Sequence, residues 1–299
     1  MSQSPTFLVS GAGGHLGRRV VELLLARGAG RVIAGSRDPS KLADLAAKGA
    51  ETRKVDFDDP DLATAFTGVD GLLIISTDAL DRPGRRLAQH KAAIAAAVKG
   101  GVKHVVYTSM PNPEPGSPIP FAPDHLGSEQ ALAASGLTWT VLRNSWYAEN
   151  LQYSLPQVLA SGQWYTSAGA GGTSYVTRED CAQAAAAALV EAPARNNRYD
   201  ITGPAALTIG EIAKIAGEVF GKSIAVVNVS DEQLAQGMTA AGVPAPVVPL
   251  FVSFDANARA GRIKIVTDDV AKLTGKAPQS LRDFLAANKA AFLPQPAAA

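Results

Sequence analysis

Residues 6–17 read Thr-Phe-Leu-Val-Ser-Gly-Ala-Gly-Gly-His-Leu-Gly. An apolar run, a glycine cluster and the start of a helical pattern follow without a break, and few folds accommodate that order. The apolar run reads as a buried parallel strand. Gly11, Gly14 and Gly17 fall in G-x-x-G-x-x-G spacing. Gly11 supplies the positive φ of a tight strand-to-helix turn. Gly14 leaves room for a phosphate against the backbone, and Gly17 lets the helix pack close to the strand. The loop Gly11, Ala12, Gly13, Gly14, His15, Leu16 and Gly17 then aims free N–H groups and a helix dipole at an anion. This is the expected pattern for a dinucleotide pyrophosphate site.

The rest of the chain repeats the strand–helix alternation. Arg31–Gly35 is the second strand and closes in Ser36-Arg37-Asp38. At that place an acid would accept from an adenosine 2′-hydroxyl, whereas a basic residue accommodates a 2′-phosphate. Arg37 stands there, so Ser36 and Arg37 favour NADP(H) over NAD(H). Asp38, followed by Pro39, reads as the cap of the next helix. Residues 41–48 form that helix and Glu51–Val55 the third strand. Asp56 and Phe57 follow at its carboxyl end, as adenine contacts or as a turn residue and a core residue. Residues 61–66 are a short helix, and Gly71–Ile75 is a fully apolar central strand, with Ser76 and Thr77 at its end beside the expected nicotinamide ribose. Residues 85–99 form an alanine-rich helix, in which His90 is a surface or helix-packing residue. Val102–Tyr107 leads into Thr108 and Ser109, a proline-rich loop covers 111–123, a helix runs to Ala134, and Thr138–Arg143 is the sixth strand.

Beyond Arg143 the alternation loosens. Helices are expected over 151–160 and from Thr177 to Val190, with Thr177 as cap and Asp180 at its third position. Strands are expected over 198–202 and 224–229, with a capped helix from Thr208 between them. From Ser230 the pattern is mostly helical, with breaks at Pro244, Pro246 and Pro249, a helix over 281–291 and a frayed tail over 294–299. The expected architecture is α/β: a Rossmann-type doubly wound parallel sheet with a smaller α+β C-terminal substrate domain.

Composition narrows the function. With a formal net charge of +1 and 18% charged residues among 299, nothing points to nucleic acid or an anionic membrane. The one cysteine, Cys181, excludes an internal disulfide and reads as a small buried thiol. No apolar run is long enough to span a bilayer, and no basic-then-apolar leader is visible, so a cytoplasmic location is expected. The four histidines are scattered, so no metal is expected.

Four segments together resemble a known family: Gly11–Gly17, Tyr107-Thr-Ser109, His125–Glu129 and Leu142-Arg-Asn-Ser-Trp-Tyr-Ala-Glu-Asn150. They are similar to the NmrA-like atypical short-chain dehydrogenase/reductases, in the branch of NADPH-dependent quinone oxidoreductases and triphenylmethane reductases. The resemblance implies NADPH along the strand ends and a substrate cleft between two domains. It places residues 1–150 in the cofactor domain, rejoined by about 176–203, and the rest of 151–299 in the substrate domain. It also implies that Tyr107, Thr108, Ser109 and Glu129 border the cofactor, and a homodimer is compatible with it.

Typical short-chain reductases protonate the substrate from a tyrosine with a lysine four residues on. Here the residues four on from the six tyrosines are Pro111, Leu151, Gln157, Gly169, Glu179 and Gly203. In the expected frame His125 and Glu129 occupy the tyrosine and lysine places. A site without that pair suits an electron-poor conjugated acceptor, such as a quinone or dye, whose own π system spreads the charge of the incoming hydride. The candidate catalytic residues are Asn144, to donate to the acceptor or fix the nicotinamide; Tyr147, to stack or supply a proton; Trp146, as an apolar wall; and His125, to protonate the product or orient water. Helix capping for His125 and interface packing for Trp146 are the alternatives. Two functions stay open: a reductase of such acceptors, and an NADP(H)-binding redox sensor without chemistry. A sugar-nucleotide epimerase is disfavoured by the missing pair.

Overall fold

Strands form where the apolar runs lie, with the polar edge strand β3 as the exception: β1 (Thr6–Val9), β2 (Arg31–Ser36), β3 (Glu51–Lys54), β4 (Gly71–Ile74), β5 (His104–Ser109) and β6 (Thr138–Asn144). The computed structural model describes residues 4–191 and 194–293, so the tail expected to fray lies outside the described residues. Helices α1 (His15–Ala26), α2 (Ala43–Ala47), α3 (Leu62–Ala65), α4 (Arg85–Lys99) and α5 (Ala122–Ala133) connect the strands. Next come α6 (Leu155–Ser161), β7 (Gln163–Thr166), β8 (Gly172–Thr173), α7 (Arg178–Val190), β9 (Asn197–Ile201), β10 (Leu207–Thr208), α8 (Ile209–Phe220) and β11 (Ala225–Asn228). The chain closes with α9 (Asp231–Ala240), α10 (Val248–Arg259), α11 (Asp269–Thr274), α12 (Leu281–Ala287) and α13 (Lys289–Phe292).

The main sheet has the order β3-β2-β1-β4-β5-β6-β9, all parallel. This is the expected doubly wound arrangement. The order reverses between β1 and β4, and ligands of such sheets bind in the crevice beyond the strand ends at that switch. Each sheet face has its own apolar cluster. On one side Val9, Val20, Leu24, Leu73 and Leu142 pack with the buried alanines of α7. On the other, Leu8, Ile33, Leu72, Ile74 and Tyr107 pack with Phe66, Ile94 and Leu132. The alanines let α7 lie close to α1, where Arg19 grips Glu179 at 2.7 and 2.9 Å. Cys181 is buried on α7, and burial pushes its thiol pKa well up.

A third cluster joins Leu155, Val158 and Trp164 to Ile212, Ala216, Phe284 and Phe292. Beside it, β7 pairs parallel with β11, and β8 antiparallel with β10. The helix caps are as expected: Asp38 accepts from Ser40 N, Thr177 from Asp180 N, and Thr208 forms a capping box with Glu211.

Strands β7 and β8 lie in residues 162–174, for which the sequence carries no strand expectation. Two expectations need correction. Pro249 does not break a helix but lies in the first turn of α10, where no intrahelical N–H is required. The helix expected over 281–291 divides at Asn288, whose Nδ2 donates to Phe284 O at 2.8 Å. Of the two readings of His90, helix packing holds: it is fully buried on α4 and bonds Ser128 on α5.

Candidate active site

The glycine turn meets its steric demands. Gly11 has φ +64°. A Cβ on Gly17 would lie 2.4 Å from Gly11 O, so only glycine lets α1 start this close to the turn. Gly11, Gly13, Gly14 and His15 are exposed at the crest, while Ala12, Leu16 and Gly17 anchor it in the core. The N-cap of α1 is Gly14, without a side chain to satisfy the first N–H groups, and the first turn holds no acid. That end of the helix is left open to an anion. At the end of β2, Asp38 is engaged as a cap by Ser40 N and Oγ at 3.1 and 2.6 Å. Arg37 is exposed and has no hydrogen bond or ion pair among the described residues.

The run Leu142–Asn150 turns out to be a set of separate attachments. Arg143 binds Glu129 twice, at 2.9 and 2.8 Å. Asn144 Nδ2 donates to Tyr147 Oη at 3.2 Å. The Trp146 ring packs on Phe254 with centroids 4.1 Å apart. Trp146 O and Ala148 N bond to Val176, and the Glu149 carboxylate accepts from Arg178 N at 2.9 Å, which caps α7. Asn150 holds the Arg178 side chain, whose guanidinium lies 5.3 Å from the Tyr147 ring centre. One loop thus ties β6 to the start of α7 and turns Asn144, Trp146 and Tyr147 toward a common space.

That space is a cleft of about 190 Å³. Its floor is Ser76, Thr108, Ser109 and Asn144 at the strand ends, and its aromatic wall is Phe121, Trp146, Tyr147, Tyr175 and Phe254. Burial raises the phenol pKa of Tyr147 and Tyr175, so both stay protonated. The Tyr147 oxygen already accepts from Asn144, which leaves its own proton free for the cleft. Asn144 Oδ1 is buried without a partner, and so is Asn257 Oδ1 on α10. These are unused hydrogen-bonding atoms facing a space of ligand size.

His125 also borders the cleft, but its nitrogens are committed. Arg86 Nη2 can only donate, so His125 Nε2 accepts from it at 2.9 Å. The ring proton therefore sits on Nδ1, 3.0 Å from Tyr107 Oη. Thr77 N donates to His90 Nε2 at 3.0 Å, so His90 likewise carries its proton on Nδ1, 2.8 Å from Ser128 Oγ. Arg86 Nε closes the ring on Thr77 O at 2.6 Å. Burial, with Arg86 beside them, pushes the pKa of His125 well down and that of His90 down to about 3. Through Arg86, which also holds Thr77 O, His125 ties the loop after β4 to α5.

These neutral histidines make a pH prediction. A native pKa held below the unfolded value means that their stability is present above the unfolded pKa and is lost as pH falls below it. His90, at about 3, and His104, which burial lowers to about 4, both lie under that value. From pH 7 to pH 5 the unfolding free energy should fall by about 2 kcal/mol for each, with an unfolded pKa of about 6.5. Urea titrations at the two pH values measure this. His104→Gln should flatten the dependence, and an unchanged slope in that variant would contradict the assignment.

Other expected cofactor contacts have structural duties. The Phe57 ring is buried in the core, and Asp56 Oδ1 accepts from Asp58 N at 3.1 Å, so the turn-and-core alternative describes both side chains. Tyr107 is fully buried, with its hydroxyl on the histidines. The Glu129 carboxylate is occupied by Arg143, Arg198 and Ser109. Thr108 Oγ1 accepts from Ser76 N at 2.9 Å and fixes the floor. Sequence reasoning missed Arg86, Tyr175, Phe254, Asp255 and Asn257. Among the described residues, no group of three or more His, Cys, Asp or Glu is placed to hold a metal.

A doubly wound sheet, a glycine turn opening at its switch point and an aromatic cleft at the adjoining strand ends define a dinucleotide-dependent oxidoreductase. A family model described as NAD(P)H-binding matches residues 11–192, and the chain belongs to that family. It is 34% identical over 277 residues to quinone oxidoreductase 2 of Escherichia coli strain K12, covering 92% of this chain and 96% of that one. It is 30% identical over 287 residues to the NAD(P)H azoreductase of Xenophilus azovorans, covering 95% and 98%. The solved structure of the Citrobacter sp. triphenylmethane reductase complexed with NADP(H) superposes with a TM-score of 0.87 at 34% identity, covering 95% and 99%. The resemblance read from the four segments is borne out.

Proposed function

We propose that the protein is an NADPH-dependent reductase that passes hydride to quinones and related conjugated acceptors such as dyes and azo compounds. The observation that carries this reading is the Tyr147 hydroxyl, held by Asn144 with its proton free in an aromatic cleft that has no tyrosine–lysine pair. The relatives named quinone oxidoreductase, azoreductase and triphenylmethane reductase support the acceptor class. A dry apolar cavity of about 150 Å³ holds one benzene. The cleft, at about 190 Å³, therefore suits a planar ring of quinone size.

The residues present fit the cofactor. The crest of the glycine turn and the open end of α1 suit a pyrophosphate, Arg37 a 2′-phosphate, and the orphaned Asn144 Oδ1 a carboxamide N–H donor. When bound, NADPH supplies the hydride. The protein's own part is to hold a flat acceptor between Trp146, Phe254 and the strand ends, and to exclude water from it. Tyr147 donates a hydrogen bond to the acceptor oxygen as charge builds there. Asn144 Nδ2 and the Arg178 guanidinium over its ring stabilise Tyr147 as it shares that proton. We assign residues 1–150 with 176–203 to cofactor binding and the remainder of 151–299 to the substrate side. A cytoplasmic setting belongs to the same reading.

Tyr147→Phe keeps the ring and removes the donor. It should lower kcat/KM for a quinone about tenfold, the value of one hydrogen bond to a developing charge. Steady-state kinetics measure this, and an undiminished kcat/KM would remove Tyr147 from the mechanism.

A further inference from the structure

Asp255 is the only formally charged side chain among the described cleft-lining residues, His125 being neutral. It lies on α10, next to Phe254, which packs on Trp146. Its Oδ2 accepts from Thr166 Oγ1 at 2.7 Å and from Ser167 N at 2.8 Å. Its Oδ1 has no donor among the described residues. The cation on the same helix, Arg259, attracts Asp255 through space but makes its hydrogen bonds elsewhere: it binds Asp231 with both terminal nitrogens at 3.0 and 2.7 Å, and also Ser167 O. The carboxylate is therefore hydrogen-bonded only by neutral donors, with one oxygen unspent, in the wall of an aromatic cleft whose lining residues include no cation; Arg178 and Arg86 stack on its Tyr147 and Phe121 rings without lining it.

A fixed negative charge beside an aromatic pocket favours a delocalised cation and repels an anion of the same shape, and the faces of Trp146 and Phe254 act in the same direction. Discrimination by an unfavourable charge is a common route to specificity. We propose that Asp255 is a specificity-determining residue that makes this cleft select cationic conjugated acceptors over anionic ones of equal size. The proposal rests on the reductase reading and says which of its acceptors this chain prefers.

The test uses the full chain and three 1,4-naphthoquinones that carry a methyl, a trimethylammoniomethyl or a sulfonate group. In the unaltered protein kcat/KM should rank cation, neutral, anion. Asp255→Asn retains an acceptor for Thr166 and Ser167 and removes the charge. It should lower the cation-to-anion ratio of kcat/KM about tenfold, the scale of one partly buried charge contact. A ratio that stays the same, or an equal fall for all three quinones, would overturn the proposal. Asp255→Ser repeats the test should the asparagine variant fail to fold. If no quinone is reduced by the unaltered protein, the reductase reading fails on its own. Equilibrium binding of the two charged quinones to the NADP⁺-saturated protein then decides Asp255: a cation preference that Asp255→Asn abolishes supports it, and equal affinities in the unaltered protein contradict it.

Discussion

Glu129→Ala should lower the unfolding free energy by about 3–5 kcal/mol, the cost of leaving one partner of a buried ion pair alone. Glu129 is 3% exposed and Arg143 7%. The carboxylate takes two bonds from Arg143, at 2.9 and 2.8 Å, one from Ser109 Oγ at 2.7 Å, and a contact with Arg198 at 3.1 Å. Without it, Arg143 keeps only Glu114, whose side chain is 46% exposed. Ser109 and Arg143 also flank the cleft floor, so the loss reaches the site. Adding Arg143→Leu should recover part of the stability, because the charge left alone is then gone. Urea unfolding of both variants measures this. A loss under about 1 kcal/mol for Glu129→Ala would mean that the pair is hydrated and exchangeable.

Arg37→Ala should weaken NADPH by about 1.5–3 kcal/mol, roughly ten- to a hundredfold, and leave NADH little changed. The acid that could select a 2′-hydroxyl, Asp38, is held as a helix cap by Ser40. The adjoining guanidinium has no partner among the described residues. A planar guanidinium is suited to a phosphate, so Arg37→Lys should retain only part of the affinity. Titration of both cofactors by fluorescence measures the effect. Equal losses for NADPH and NADH would place Arg37 outside the 2′-phosphate site.

The main sheet was legible because parallel strands buried on both faces read as unbroken apolar runs, and β4 is the plainest case. The glycine turn was legible because Gly11 and Gly17 answer steric demands that no other residue meets. Strand β7 was missed because it is short and alternates exposed and buried residues inside a glycine-rich stretch. On α10, apolar spacing gave the helix but not the face turned to the cleft, so Asp255 and Asn257 carried no signal. Arg86 was missed for a related reason. A cation on an alanine-rich helix reads as solvated, yet this one is 6% exposed and holds His125 and the Thr77 carbonyl. Glu129 sits where a lysine was sought, and only tertiary contacts show it to be a brace. Glu149 and Asn150 were read as part of a pattern, and their work as attachments of α7 depends on β6 and α7 meeting in space.

The central claim is that the cleft reduces conjugated acceptors with electrons from NADPH. Its most direct measurement is the loss of nicotinamide absorbance when the purified protein is given NADPH or NADH, with and without 1,4-benzoquinone. The account predicts acceptor-dependent oxidation that is faster with NADPH. Tight NADPH binding without turnover, across benzoquinone, cationic dyes and azo compounds, would contradict it and make the protein a cofactor-binding sensor.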